Sequence, residues 1–200
     1  MSALIVTAHP CADSYTAAVA AAAANGLKAA GHTVTTLDLY GIGFDAAMSR
    51  EDLAAYQAGD PPIDPLVREH GELVRAADTL VFVYPTWWSG LPAVLKGWLE
   101  RVLVPGVAFT FDEGGKVRPA MQHVRRIVGV STYGSPWTYV KLVNDNGRRI
   151  LTRALRLSCG GGTATTWLGL YSIDTTGDNE RRAFLDRVEH RMSKIKASGA

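Results

Sequence analysis

Apolar positions along the chain follow two alternating patterns. Short continuous runs rich in β-branched residues occur at Ala3–Ala8 (ALIVTA), Val34–Leu37, Thr79–Tyr84 (TLVFVY), Arg126–Val130 (RIVGV) and Thr163–Leu168. Runs of that length with no polar alternation predict strands buried on both faces. Between them, helices are predicted over Ser14–Ala30, Asp64–Ala77, Pro92–Val102, Tyr139–Leu157 and Asn179–Ile195. In Asp64–Ala77, the residues Leu66, Val67, His70, Leu73, Val74 and Ala77 recur at i, i+3, i+4, i+7 spacing and share one face. Pro92 suits the first turn of its helix, where a missing N–H costs nothing. Strict strand–helix alternation with fully apolar strands calls for an α/β protein. Its open parallel sheet, of order 2-1-3-4-5, is covered by helices on both faces through right-handed crossovers. One domain over residues 1–200 is expected. The stretches Gly41–Pro62 and Pro105–Met121 are rich in Gly, Pro and Asp and read as loops too long for plain connectors, suited to covering a site or a partner chain.

In such a sheet, ligands bind outside the carboxyl ends of the strands where strand order reverses, here between the first and third strands. Three segments converge there. His9–Thr16 (HPCADSYT) enters an Ala-rich helix with Asp13 or Ser14 as N-cap. Its free amides and the hydroxyls of Ser14 and Thr16 form an anion cradle, although capping alone would also explain these residues. Pro85–Gly90, within YPTWWSGLP, places adjacent Trp87 and Trp88 in a connection, where exposed indoles call for a planar ligand or a partner surface. Ser131–Tyr139 (STYGSPWTY) adds hydroxyls, Gly134 and further aromatics. Anion contacts on one side and aromatic planes on the other describe a site for a flat ring bearing phosphate, which a flavin fits.

Composition and charge narrow the classes. The 200 residues are 47% hydrophobic and 20% charged, ordinary values for a globular chain. A net charge of +2, read as spread along the chain, argues against nucleic acid as a partner and against the strongly acidic make-up of an electron-carrying flavodoxin. The longest small-apolar run, Ala17–Ala24, is too short for a bilayer span and Met1–Val6 lacks a basic leader, so a soluble cytoplasmic protein without membrane insertion is expected. Cys11 and Cys159 form no CxxC and no disulfide framework, and the five histidines show no metal-ligand spacing, so no metal is expected. Neither GxGxxG nor GxxxxGK[ST] occurs, which disfavours a dinucleotide-binding Rossmann domain and a P-loop NTPase.

The opening ALIVTAHPCADSYTAA, the stretch AADTLVFVYPTWWSGLPAVLKGWLERVLVPGVAFTF and the STYG segment together resemble the flavodoxin-like NAD(P)H:quinone oxidoreductases over nearly the whole chain. The resemblance implies a flavodoxin-like three-layer sandwich and a noncovalent flavin, FAD by resemblance with FMN as the alternative. It also implies a homodimer with sites at the interface, and two-electron transfer from NADH or NADPH to a quinone-like acceptor. By that likeness His9, Ser14, Tyr15 and Thr16 hold the phosphate-bearing tail, and Pro85, Thr86, Trp87, Trp88 and Ser89 lie along the ring. Ser131, Thr132, Tyr133 and Gly134 contact its polar edge, Tyr139 is the catalytic hydrogen-bonding residue, and Phe109 and Phe111 reach the partner subunit's substrate pocket. Two positions depart from the pattern. Asp145 stands where the mammalian members carry a histidine partner to the tyrosine, and Ser89 stands where they carry an aromatic. The long C-terminal segment of the mammalian members has no counterpart before residue 200. Other readings of the same residues are a flavodoxin-type electron carrier, a flavin-binding regulatory subunit of a transporter, and a Trp pair that serves dimerisation alone.

Overall fold

The computed structural model describes residues 1–196, so the last four residues of the domain expected over 1–200 lie outside it. Five parallel strands form the central sheet: β1 (Ser2–Thr7), β2 (Thr33–Asp38), β3 (Thr79–Pro85), β6 (Arg126–Thr132) and β7 (Ala164–Leu170). Their spatial order is β2-β1-β3-β6-β7, the expected 2-1-3-4-5 arrangement. Every residue of β3 is buried, whereas the edge strands β2 and β7 are largely half-exposed, which is why β2 carries threonines between its apolar residues.

Side-chain alternation along the inner strands separates two cores. Ala3 and Ile5 of β1 and Val81 and Val83 of β3 face α1 (Tyr15–Ala29) and α8 (Asp178–Ser193), where Val19, Leu27, Phe184 and Val188 are fully buried. Leu4, Val6, Leu80 and Phe82 face the other layer, α3 (Pro65–Ala76) and α4 (Ala93–Val102), closing on Trp98. The Ala-rich sequence of α1 lets α8 cross it closely. At Gly26, an added Cβ would stand 2.3 Å from the Glu189 carbonyl oxygen. Helix starts follow the expected chemistry, with Ser14 Oγ accepting from Ala17 N–H at 3.2 Å and Asp64 Oδ1 accepting from Leu66 N–H at 2.9 Å.

Three sequence expectations are corrected. The segment Gly41–Pro62 is not all loop: it contains α2 (Arg50–Ala58), opened by a Ser49–Asp52 capping box and closed by Gly59 in the left-handed region. Buried Arg101 of α4 fixes this segment, reaching Asp52 Oδ2 at 3.0 Å, Asp64 Oδ2 at 3.1 Å and the Asp45 carbonyl at 2.7 Å. Pro105–Met121 contains the antiparallel hairpin β4 (Phe109–Phe111) and β5 (Val117–Pro119). The helix expected over Tyr139–Leu157 is broken. α5 (Trp137–Leu142) ends before Asn144 and Asp145, both at positive φ, and α6 (Asn146–Arg149) then runs through a π-helical turn, Ile150–Leu155, into α7 (Arg156–Ser158). Asn and Asp tolerate the left-handed region better than other side chains, so the polar pair permits the break that periodicity alone conceals.

Candidate active site

The parallel register brings the ends of three strands together, with Thr7 opposite Val83 and Pro85 opposite Thr132. The chain passes from β1 to β2 on one side and crosses from β2 back to β3 on the other side of β1, so the loops after β1, β3 and β6 open at the point where order reverses. In the first loop, His9 Nδ1 lies 3.1 Å from the Cys11 amide nitrogen and 3.3 Å from the Cys11 carbonyl oxygen, which holds the ring against the loop backbone. Ser14 is the N-cap of α1, and the amides of Tyr15 and Thr16 in the first turn have no intrahelical acceptor. Thr16 is buried and its hydroxyl makes no hydrogen bond among the described residues. The Tyr15 hydroxyl is committed elsewhere, donating to the Arg181 carbonyl of α8 at 2.8 Å, so this residue offers the site only its backbone N–H. Cys11 is exposed and does not pack against the helix.

The second loop is a tight turn. Gly90 N–H donates to the Trp87 carbonyl at 3.0 Å and Trp87 N–H to the Gly90 carbonyl at 3.3 Å. The central residues Trp88 and Ser89 both hold positive φ, 48° and 57°. Turns of this kind ordinarily take Gly, Asn or Asp, and each ordinary side chain in that region costs ~1–2 kcal/mol. The strain presents Trp88 with its indole fully exposed, and Trp87 is 41% exposed with its ring 6.0 Å from that of His9. Thr86 ties this turn to the third loop through its N–H on the Thr132 carbonyl at 2.7 Å and its hydroxyl on Ser131 Oγ at 2.8 Å.

Beyond Thr132 the chain buries Tyr133. Its ring stacks on Tyr171 at 4.6 Å and its hydroxyl donates to Asp145 Oδ1 at 3.0 Å. Burial pushes the Tyr133 phenol far above its usual range, and the neighbouring Asp145 charge adds to the effect. The Tyr84 phenol is raised for the same two reasons. Burial also raises the Asp145 carboxyl, partly offset by the Tyr133 hydrogen bond and by Arg148. Both tyrosines are therefore neutral donors near neutral pH. The Tyr84 hydroxyl has no partner, and Gly147 at the start of α6 packs so closely that an added Cβ would lie 3.0 Å from it and 3.4 Å from the Gly90 carbonyl carbon.

His9, Thr86, Trp87, Ser131 and Thr132 are thus joined through direct contacts. Gly134 follows them, exposed on the third loop. Tyr139 lies on α5 with half of its surface exposed and no side-chain hydrogen bond among the described residues. Asp145 pairs with Tyr133, not with Tyr139. Phe109 and Phe111 sit edge to face on the β4–β5 hairpin, 5.7 Å apart, with Phe111 exposed and Phe109 beside Tyr56 of α2. Among the described residues, the ring pairs of Phe109 and Phe111 are with each other and, for Phe109, with Tyr56.

Residues 1–186 match the family described as having a flavodoxin-like fold. The chain belongs to that family. A solved structure of Smu.1420 from Streptococcus mutans UA159 is 30% identical and superposes with a TM-score of 0.82, covering 98% of this chain and 100% of that one. An NAD(P)H:quinone oxidoreductase from Methanothermobacter marburgensis is 26% identical with a TM-score of 0.83, covering 100% and 99% of the two chains. Among curated relatives, NAD(P)H dehydrogenase [quinone] 1 of Rattus norvegicus is 36% identical over 154 residues, 68% of this chain and 55% of the relative. The chain spans about half the length of the first curated relatives it matches. Family membership accounts for the α1 entry and the switch-point loops. The Tyr133–Asp145 couple and the role of Arg101 were missed from sequence, because each joins residues of different elements with no motif between them. The S-x-x-D start of α2 was a legible signal.

Proposed function

We propose that the chain is a flavin-dependent NAD(P)H oxidoreductase that reduces quinones or related aromatic acceptors. The observation that carries this reading is the strained turn that exposes two indoles, with Trp87 beside His9 of the loop that leads into the free first-turn amides of α1. An aromatic plane and an anion cradle meeting at the switch point fit a ring with a phosphate-bearing tail. The amides of Tyr15 and Thr16, with the Thr16 hydroxyl and His9, hold the phosphate, while Ser14 keeps the helix end in place. Pro85, Thr86, Trp87, Trp88 and Ser89 line the ring, and Ser131, Thr132, Tyr133 and Gly134 form its polar edge. FAD is preferred from the family likeness, with FMN as the alternative. When bound, the flavin supplies two-electron transfer between nicotinamide and acceptor.

The protein's part is to position and to stabilise charge. In this reading the Gly134 backbone N–H and the Tyr139 hydroxyl donate to negative charge developing at the polar edge, the Tyr133 N–H being taken by the Leu170 carbonyl at 2.8 Å. Phe109 and Phe111 cover the acceptor pocket of a second copy in a homodimer. The protein works in the cytoplasm; no helix among the described residues is long and apolar enough to cross a membrane. Donor and acceptor occupy one cleft in turn, so initial rates measured against NADPH at several naphthoquinone concentrations should give parallel double-reciprocal lines. Intersecting lines would refute the shared cleft, and absence of turnover with either nucleotide would refute the reading.

A further inference from the structure

The near-neutral total conceals a local concentration of charge. Residues 141–156 hold five cations, Lys141, Arg148, Arg149, Arg153 and Arg156, against the single acid Asp145, whereas the whole chain nets only +2. Four of these cations, Lys141, Arg148, Arg149 and Arg153, surround one cavity of about 220 Å³. Lys141 lies over the Trp137 ring and Arg148 over the Trp167 ring, while Arg149 and Arg153 make no side-chain hydrogen bond or ion pair among the described residues. Among the described residues one carboxylate lines the cavity, Asp145, whose Oδ1 accepts from Tyr133 at 3.0 Å. Arg149 and Arg153, four residues apart along the helical stretch that holds the π-helical turn Ile150–Leu155, both line this cavity. Thr152 and Arg153 also line a second cavity of about 420 Å³, walled by the exposed side chain of Leu157 and by Gly160 and Gly161.

We propose that the first cavity is a subsite for a phosphate group of the nicotinamide nucleotide, specifically the 2′-phosphate that distinguishes NADPH from NADH, with the adenosine against Leu157 in the second. Unpaired guanidinium groups are the donors best matched to phosphate oxygens. The subsite adjoins the candidate active site through two contacts, Asp145 on Tyr133 and Gly147 against Tyr84 and Gly90. It follows β6, whereas the cradle assigned to the flavin phosphate follows β1, and β3 lies between these strands. An extended polyanion fits less well, because the remainder of the chain is net acidic. The identification of the ligand as the electron donor rests on the function proposed above.

Isothermal titration calorimetry of the flavin-loaded protein at low ionic strength, with adenosine 2′,5′-bisphosphate and adenosine 5′-monophosphate as probes, tests the subsite. The bisphosphate should bind about tenfold more tightly. In the double variant Arg149→Gln, Arg153→Gln the two probes should bind equally, while Arg182→Gln on α8, which removes a remote charge, should keep the preference. Equal binding in the unaltered protein, or a preference that survives the double variant, would overturn the proposal. Loss of flavin from the double variant would assign the cavity to the flavin tail and overturn it too. An arginine-dependent preference in a protein whose flavin neither nucleotide reduces would support the subsite and refute the oxidoreductase reading. Reduction by both nucleotides with no bisphosphate preference would do the reverse.

Discussion

Replacing Trp88 and Ser89 together by glycine should stabilise the protein and weaken its hold on flavin. Both residues sit at positive φ, 48° and 57°, where an ordinary side chain costs ~1–2 kcal/mol. Glycine removes that cost but adds ~0.5–1 kcal/mol of chain entropy lost on folding. The Trp88 indole is fully exposed, and the half-buried Ser89 makes no side-chain hydrogen bond among the described residues, so no bond and only the small Ser89 side chain's burial is lost. The net gain is about 1 kcal/mol for the pair, which for a chain of this size raises Tm by roughly 2–4 °C. Loss of one aromatic plane from the ring site removes ~0.5–1.5 kcal/mol of stacking, a roughly three- to tenfold rise in flavin Kd. Thermal melts of the flavin-stripped protein and flavin fluorescence titrations measure the two effects separately. A lower Tm in the stripped variant would refute the strain argument, and an unchanged flavin Kd would remove Trp88 from the ring site.

Arg101→Met should cost about 3 kcal/mol, since it leaves the Asp52 and Asp64 carboxylates facing each other without their cation. That figure is at the low end for a broken buried pair because Asp64 keeps a third of its side chain in water, and urea unfolding would read it. Burial lowers the pKa of His70, whose Nδ1 accepts from the Trp98 indole N–H. The unfolded chain therefore binds more protons than the folded one below about pH 6.5, and stability should fall as pH drops through that value toward the lowered folded pKa. A His70→Gln variant, which keeps an acceptor for Trp98, should show a flatter dependence of the urea midpoint between about pH 7 and 5; an unchanged slope would assign the effect to other groups. Tyr139→Phe should keep its flavin content while slowing flavin reduction or reoxidation in stopped-flow measurements, and unchanged rates would take Tyr139 off the catalytic list.

Strand positions were legible because each inner strand is an unbroken apolar run, and a run such as TLVFVY has no stable place except between two covered faces. The helix starts at Ser14 and Asp64 were equally plain from their capping side chains. What escaped were features created by pairs of elements. The polar segment forming α2 has almost no apolar face, with only Ala55 buried, so helical periodicity had nothing to reveal. The β4–β5 strands are three residues each and mostly exposed, too short to alternate visibly. The break at Asn144–Asp145 lies inside a stretch whose apolar spacing continues on either side, and only the left-handed backbone of those two residues discloses it. For the candidate site, the loops and Trp87–Trp88 could be named from sequence, but not the commitment of Tyr15 to α8, nor the pairing of Tyr133 with Asp145, because hydrogen bonds 166 and 12 residues apart depend on packing. Charge was misread for a different reason: the near-neutral total hides a local run of five cations against one acid in residues 141–156, four of which line one cavity.

The central claim is tested most directly by the visible spectrum of the gently purified protein, followed by anaerobic addition of one equivalent of NADPH or NADH and then a quinone. Flavin absorption near ~450 nm that bleaches with the nucleotide and returns with the quinone is the predicted result. A protein that stays colourless after incubation with FAD and FMN, or a bound flavin that neither nucleotide reduces, would contradict it.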